Sequence, residues 1–315
     1  MAENTKIEWA THSFSPFIGC SKVHVGCDHC YAAAMSNRLG VTWGPNGTRR
    51  RTAESTWKQV ERWNRKAGLR ISASTAALSN FRGGLARPLP GEIERIEAEL
   101  WRPRVFPSLC DPFEDWNGQI LGSNGKPIYV PLCERPQPND PADHRQLRMA
   151  DVRRDFFALI DRCPNLDFLL LTKRPENVRR MWFGKTPISF DRTIPQRRDN
   201  VWLLYSASDQ ASLEAGLPHL LACRDLVSVI GLSLEPLLGP IDLEGRSHGP
   251  ISFCVVGGES GPRARPMEIA WLESIAEQCE DAGVALFCKQ DSGPKPGQQG
   301  RIPDRLWARK EFPRT

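Results

Sequence analysis

The chain has 315 residues, of which 40% are apolar and 25% are charged, and this composition excludes wholesale disorder. No apolar run approaches the roughly 18 residues that a membrane-spanning helix requires. The first ten residues are polar and acidic and do not form a signal or transit peptide. We therefore expect a cytoplasmic protein that does not associate with a membrane.

The formal net charge of +5 is unevenly spread along the chain. Residues 1–110 hold 16 Lys and Arg against 9 Asp and Glu, whereas the other residues hold 26 against 28. The most basic stretch, residues 49–70, fits either a surface that binds nucleic acid or the solvated face of a helix. The candidate contacts are Arg49, Arg50, Arg51, Lys58, Arg62, Arg65 and Lys66. A nucleic acid or a nucleotide is thus a candidate substrate.

Short apolar runs alternate with amphipathic stretches along the chain. The predicted strands are Ser13–Ile18, Arg104–Leu109, Leu166–Thr172, Asn200–Ser206, Val227–Glu235, Ile251–Gly257 and Val284–Lys289. The predicted helices are Cys30–Leu39, Thr56–Lys66, Ile93–Trp101, Leu147–Cys163, Pro175–Trp182, Gln210–Cys223 and Met267–Ala282. Alternation of this kind predicts βαβ units around a parallel sheet. We expect an α/β fold, as a complete or partial (β/α) barrel or as an open sheet.

Two segments interrupt the alternation. Residues 40–90 are rich in Gly, Arg and Ser, and residues 111–143 contain six prolines. We expect both to be loop insertions at the mouth of a single α/β barrel domain that spans residues 1–315. Residues 292–315 are rich in Pro, Gly and Gln, and we expect them to form an extended tail.

Ten cysteines are unexpected in a cytoplasmic protein, in which disulfides rarely persist. We expect the seven isolated cysteines to be buried apolar side chains: Cys110, Cys133, Cys163, Cys223, Cys254, Cys279 and Cys288. Cys20, Cys27 and Cys30 lie together after the first predicted strand, and this clustering predicts a metal centre. Their spacing fits a four-iron cluster with one open iron. It also fits structural zinc completed by His24, His29 or a distant cysteine.

Polar side chains follow several predicted strands directly. Because strand ends in a barrel point toward one mouth, these residues are candidates for recognising a ligand there, with an arginine for a phosphate. The candidates are Lys173, Arg174, Glu235, Glu259 and Lys289. Gly257 and Gly258 would allow a ligand to approach the backbone. The alternative is that each polar residue is only the solvated end of a strand.

Several blocks of the sequence resemble a known family in the same order. The blocks are Thr5–Trp9, the three-cysteine segment, Leu171–Pro175, Leu232–Leu238, Val256–Gly261, Ala264–Met267 and Phe287–Gln290. They resemble the phage- and prophage-associated three-Cys-motif family, which is of unknown function and is radical-SAM-like (SAM, S-adenosylmethionine). The resemblance spans nearly the whole chain and implies a barrel of radical SAM or TIM type.

The resemblance also implies cofactors. In radical SAM enzymes three cysteines hold a [4Fe–4S] cluster, and the amino and carboxylate groups of SAM chelate its open iron. The reduced cluster passes an electron to the sulfonium, which splits into methionine and a deoxyadenosyl radical. It implies Cys20, Cys27 and Cys30 as the cluster ligands, an external electron donor and a partner protein encoded nearby. It places His29 where an aromatic residue usually lies beside the adenine. The segment Gly257–Glu259 resembles a late strand that lines the adenine pocket.

We accordingly predict a radical SAM enzyme that repairs or modifies a nucleic acid or nucleotide. Lys173, Glu235 and Lys289 are the predicted catalytic residues, and Tyr31 and Glu235 are predicted to join the cofactor contacts. Arg174 joins the predicted nucleic-acid contacts. One alternative is a nucleic-acid-binding protein stabilised by zinc or a cluster, without redox catalysis. Another is a non-catalytic subunit of a modification complex.

Overall fold

The strands and helices alternate along most of the chain, and the computed structural model describes residues 2–132, 143–182, 196–243 and 251–313. The strands are β1 (Ala2–Glu3), β2 (His12–Ser13), β3 (Phe17–Ile18), β4 (Arg49–Arg51), β5 (Arg104–Phe106), β6 (Ile120–Leu121), β7 (Tyr129–Pro131), β8 (His144–Gln146), β9 (Asp167–Thr172), β10 (Arg198–Ala207), β11 (Val227–Leu234), β12 (Ile251–Gly257) and β13 (Ala285–Gln290). The helices are α1 (Tyr31–Ala34), α2 (Ser36–Leu39), α3 (Glu54–Arg82), α4 (Glu92–Glu97), α5 (Met149–Arg162), α6 (Val178–Met181), α7 (Gln210–Leu221), α8 (Ile269–Asp281) and α9 (Asp304–Trp307). Short 3-10 helices cover Val25–Cys27 and Pro175–Asn177.

Eight strands form the main sheet in the order β1-β2-β5-β9-β10-β11-β12-β13. Every neighbouring pair is parallel except β1 with β2. Within the described residues β13 does not pair with β1, so the sheet is a curled half-barrel. The α/β class and the partial form of the predicted barrel are confirmed, and the sheet does not close.

The central strands are apolar on both faces because each face packs against its own core. Leu170 and Leu203 point to the core that faces the helices, whereas their neighbours Leu169 and Trp202 point to a second core. This alternation follows from the two-residue period of a strand. Trp9, from the segment before β2, is buried in the second core. The amino-terminal segment thus helps to close the face of the sheet that carries no helices.

The first predicted strand, Ser13–Ile18, is interrupted. β2 pairs with β5 in the main sheet, whereas β3 pairs with β4 in a separate three-stranded sheet. Between them lies Pro16, which cannot donate to a strand ladder, and the Ser15 hydroxyl instead accepts from the backbone of Leu109 at 2.9 Å. The chain therefore changes sheet just before the three cysteines.

Most of residues 40–90 is not a loop at the barrel mouth, which corrects the expectation, although Trp43, Gly44 and Pro45 at its start do line the cavity there. They contain β4 and the 29-residue helix α3. Trp57, Val60 and Trp63 recur at helical spacing and are buried in the main core together with Phe14 and Phe156. α3 is therefore a structural layer on the helical face of the sheet.

The other two irregular segments also differ in part from expectation. Within 111–143 the described residues form β6 and β7, while residues 133–142, with the predicted core cysteine Cys133, lie outside the described part of the chain. The tail contains α9, and its Phe312 contacts Phe253 and Phe287. The tail is thus packed onto the second core rather than only extended. None of the described helices has the length and apolarity that crossing a membrane would demand.

Candidate functional site

A cavity of about 570 Å³ lies at the carboxyl ends of the parallel strands. Cofactor and substrate pockets are typically of this size. The structure brings most of the predicted site residues to its wall: Cys20, Cys27, His29, Cys30, Tyr31, Lys173, Glu235, Gly258, Glu259 and Lys289. Residues separated by up to 269 positions in the sequence thus face one space. Lys173, Glu235, Gly258 and Lys289 follow or lie at the end of strands of the main sheet, whereas the three cysteines follow β3 of the three-stranded sheet.

The three cysteines lie on the loop that follows β3. Cys27 ends the 3-10 helix, and His24 caps this helix by accepting the Gly26 N–H at 3.1 Å. Cys30 immediately precedes α1. Gly26 must lack a side chain, because a Cβ atom there would lie 2.0 Å from the hydroxyl oxygen of Ser208. The loop is therefore pressed against the end of β10.

Hydrogen-bond donors and one buried ammonium group surround the three sulfurs. The Val23 N–H donates to Cys27 Sγ at 3.5 Å, and Arg174 Nη1 donates to Cys20 Sγ at 3.7 Å. Burial lowers the pKa of Lys173, whereas Cys27, Cys30 and Cys20 oppose that shift through their negative thiolate forms. All three cysteines therefore lie within electrostatic range of the same lysine.

The donor set fits a metal group held by thiolates. Burial, with the carboxylates of Asp111 and Glu114, raises the pKa of Cys20 to about 12, so this thiol is protonated at neutral pH, and a metal that bound it would have to displace the proton. N–H donors and a cation then stabilise the negative charge of the thiolates. In the described parts of the chain, no three His, Cys, Asp or Glu side chains are already close enough to hold one ion.

The two histidines of the loop have defined partners. His24 uses both ring nitrogens, since Nε2 donates to the Ser206 carbonyl at 3.1 Å and Nδ1 accepts from Gly26. Burial lowers the pKa of His24 to about 4, so the ring is neutral. His24 is therefore not available to complete a zinc site. His29 lines the cavity, and its Nδ1 lies 2.8 Å from a carboxylate oxygen of Glu259.

The predicted catalytic and cofactor-binding side chains are paired with each other or with neighbours. Lys289 donates to Glu235, and both side chains are largely buried. Lys173 donates to the Ser206 hydroxyl, and the Tyr31 hydroxyl donates to the Ser108 carbonyl at 2.6 Å. The cavity wall therefore presents a fixed pair of opposite charges and a second, buried amine.

Glu259 is tied to an arginine. Arg265 Nη2 and Nε donate to the two Glu259 oxygens at 2.6 and 3.0 Å. These bonds, with the backbone N–H of Arg265 and with His29, lower the pKa of Glu259 to about 2 despite its burial. Glu259 therefore holds His29 and is already saturated with donors.

Of the two predicted cofactor-binding glycines, Gly258 lines the cavity and Gly257 does not, and both lie close to the end of β13. A Cβ atom on Gly258 would lie 2.3 Å from the backbone nitrogen of Ser292. Gly257 lies outside the cavity wall, and a Cβ there would meet Gln290 at 3.3 Å. Both glycines let β12 pass close to the end of β13, while Gly258 also borders the cavity.

The predicted nucleic-acid contacts divide into buried and exposed residues. Arg49 is fully buried against Glu114 at 2.6 Å, so its assignment to nucleic acid is wrong. Arg174 is bonded to Asp111 at 2.9 Å and is also largely buried, so it too belongs to the site framework. Arg50 is partly buried, and Arg51 is paired with Glu54 and Asp155. The exposed members lie on α3: Lys58, Arg62, Arg65 and Lys66.

Cys110 is a site residue that the sequence interpretation missed. Five of the isolated cysteines are buried as predicted: Cys163, Cys223, Cys254, Cys279 and Cys288. Cys110 instead is partly exposed, lines the cavity and pairs through its backbone with Gly19, the residue before Cys20. Cys110 directly follows the predicted strand Arg104–Leu109, and this position at a strand end is the feature of the sequence that indicates a site residue. Arg265 and Glu114 were missed as well, because no sequence spacing links them to the cysteines.

Comparison with known proteins gives one match. The family described as a protein of unknown function (DUF5131) matches residues 4–80 and 142–305. These ranges include the three cysteines, α3 up to residue 80 and every strand end that lines the cavity after residue 142. No curated protein and no solved structure matches the chain.

Proposed function

We propose that this chain, which belongs to the DUF5131 family of unknown function, is a radical SAM enzyme built on a partial (β/α) barrel. The observation that carries the proposal is the meeting of Cys20, Cys27 and Cys30 around the buried Lys173 in one cavity. This cavity lies at the carboxyl ends of parallel strands, where barrel enzymes place their active sites.

A [4Fe–4S] cluster suits the cysteines better than a single ion. The ligands of one zinc ion crowd within a few ångströms of each other because each Zn–S bond is about 2.3 Å long. Cysteines on a cluster bind different irons and therefore stand further apart. The three thiols share one cavity of about 570 Å³.

If the cysteines hold a cluster with one open iron, SAM would chelate that iron through its amino and carboxylate groups, and the cluster would supply the electron that cleaves SAM, given an external electron donor. The chain's own residues would hold the amino-acid end of SAM. Glu235 and Lys289 offer a carboxylate for its ammonium group and an ammonium for its carboxylate. His29, oriented by Glu259, presents a flat ring for the adenine. Trp9 and Phe106 form an apolar part of the wall and exclude water.

The proposed substrate is a nucleic acid or nucleotide that is repaired or modified. Lys58, Arg62 and Arg65 are exposed, and their spacing of four and three residues places them on one face of α3. A row of exposed cations on a helix attracts the phosphates of a nucleic acid. A partner protein encoded nearby would fit the same proposal as the electron donor or as a second subunit.

Metal analysis of the protein tests the proposal. The chain is purified without oxygen, reconstituted with iron and sulfide, and analysed for iron, sulfide and zinc. We expect about four irons and four sulfides per chain. Cys27→Ala should lose this iron, whereas Cys279→Ala, at a buried cysteine remote from the cavity wall, should keep it. Stoichiometric zinc without iron would contradict the proposal.

A second function is favoured by Cys110. This residue adds a fourth thiol to the cavity wall, and structural zinc sites commonly use four cysteines. Under this alternative the chain is a nucleic-acid-binding protein stabilised by zinc, without redox catalysis. The two functions differ in whether Cys110 is needed for metal binding.

A further inference from the structure

The segment from Val25 to Cys30 contains little regular structure of its own. A single 3-10 turn covers Val25–Cys27, and α1 begins only at Tyr31. Such a short turn is only marginally stable by itself, because forming it restricts the backbone of several residues and gains only one hydrogen bond. It therefore cannot fix the position of a metal ligand alone. The position of Cys27 and Cys30 therefore depends on contacts with other parts of the chain.

Arg265, which follows β12, makes those contacts. Its Nη2 donates to the Val25 carbonyl at 3.0 Å, and its Nη1 lies 3.4 Å from Asp28 Oδ2. The same side chain holds both oxygens of Glu259, which is itself buried. Glu259 in turn holds His29 at 2.8 Å. One guanidinium group thus reaches residues on both sides of Cys27, and through Glu259 the residue before Cys30.

Arg174 holds the other end of the cysteine loop. Its Nη2 donates to the Ser21 carbonyl at 2.9 Å, next to its contact with Cys20 Sγ. Ser21 is further fixed by its N–H, which donates to Glu114 at 2.8 Å. The first cysteine and the last two are therefore held by different arginines, which come from different strand ends.

We propose that Arg265 is a positioning residue that holds Cys27 and Cys30 in place relative to Cys20. An arginine is needed because its planar group carries several donors in a fixed fork, which a lysine does not. The contact of Arg265 with Glu259 contributes more free energy than an ion pair on the surface does, because Glu259 is only 5% exposed. This positioning role does not depend on which metal group the cysteines bind; only the identity of that group rests on the proposed function.

Hydrogen exchange in the metal-free full-length chain tests the proposal without any cofactor. In Arg265→Gln we expect amides in the peptide that covers residues 22–31 to exchange about tenfold faster than in the wild type, since charged hydrogen bonds no longer oppose local opening. Arg265→Lys should lie between the two. Arg263→Gln is the matched control, because Arg263 is an exposed arginine two residues away. It should exchange like the wild type.

A milder variant shows whether faster exchange is local, in case Arg265→Gln destabilises the whole chain. Asp28→Asn leaves the Arg265–Glu259 pair intact and removes the charged contacts of Asp28 with Arg265 and Lys22, so it should accelerate exchange in the same peptide by a smaller factor. Lys22→Gln, which removes only the second of these contacts, should accelerate exchange less than Asp28→Asn. Unchanged exchange of residues 22–31 in Arg265→Gln would overturn the proposal. So would an acceleration of equal size in peptides from β10 and β11, since that would show a global effect.

The consequence for the metal is measured separately. After reconstitution under identical conditions, Arg265→Gln should retain less iron per chain than Arg263→Gln. Equal iron in both variants would contradict the role of Arg265 in holding the ligands. A wild-type chain that takes up no iron would contradict the proposed function instead, while the exchange result would still decide whether Arg265 positions the loop.

Discussion

Arg174 Nη1 lies 3.7 Å from the sulfur of Cys20, although 154 positions separate the two residues in the sequence. The same nitrogen donates to Asp111 at 2.9 Å. The cysteine motif is therefore built into a buried network of charges from three strand ends. The roles of the residues in this network can therefore be tested by substitutions at positions other than the cysteines.

Cys110 distinguishes the two candidate functions. If three cysteines hold a cluster with one open iron, Cys110→Ser should leave the iron content close to that of the wild type. Cys30→Ser is the matched control, and it should lose the iron. The measurement is iron and zinc per chain by elemental analysis. Loss of bound metal in Cys110→Ser would favour a four-thiol zinc site instead.

We predict that Arg49 stabilises the folded chain. Arg49→Met removes the nearest ion-pair partner of the buried Glu114 and leaves it with the Ser21 N–H at 2.8 Å and with Arg174 at 3.6 Å. Because these two contacts remain, we expect the lower part of the about 3–5 kcal/mol in the free energy of unfolding that breaking a buried pair costs. Arg62→Met, at an exposed position on α3, should change that free energy by less than about 0.5 kcal/mol. Denaturant titration followed by circular dichroism measures both. A similar small effect in the two variants would contradict the buried role of Arg49.

Glu259 predicts a dependence of stability on pH. Its pKa is lowered from 4.5 to about 2, so the folded state favours the carboxylate, and the resulting stability is present above pH 4.5. It is lost as the pH falls from 4.5 toward 2. At pH 7, Glu259→Gln should be less stable by up to about 3 kcal/mol, and its difference from the wild type should shrink toward pH 3. Urea unfolding at pH 7, 4 and 3 checks this. A difference that does not vary with pH would contradict it.

The exposed row on α3 predicts a salt effect. If Lys58 and Arg65 each contact a phosphate of a single strand, replacing both with Gln should reduce the slope of log affinity against log salt by about 1.4, because each contact contributes about 0.7. Fluorescence anisotropy with a labelled single-stranded oligonucleotide measures this slope. Arg224→Gln, at an exposed position after α7, should leave it unchanged. Wild-type affinity that does not respond to salt would argue against phosphate contacts.

The later half of the fold follows well from the sequence. Val227–Glu235 and Ile251–Gly257 were predicted as strands, and the structure has Val227–Leu234 and Ile251–Gly257. These runs are predictable because strands buried on both faces are continuously apolar. The first strand and the segment 40–90 are not predictable in this way. The chain changes sheet at Pro16, and α3 packs on the main core, and both depend on residues far away in the sequence.

The same distinction applies to the site. Lys173, Glu235 and Lys289 could be placed at one mouth because strand ends of a parallel sheet meet. The burial of Arg49 could not be foreseen, because its partner Glu114 is 65 positions away in a proline-rich segment. Local spacing identifies which residues can hold a metal. The arginines and carboxylates that fix them are known only from the folded chain.

The central claim is that Cys20, Cys27 and Cys30 support the cleavage of SAM. The most direct measurement is the formation of 5′-deoxyadenosine by the reconstituted, chemically reduced protein in the presence of SAM, compared with Cys27→Ala treated in the same way. We expect deoxyadenosine from the wild type and from Cys279→Ala, and none above background from Cys27→Ala. No deoxyadenosine from a wild-type chain that carries its full iron content, or equal amounts from Cys27→Ala, would contradict it.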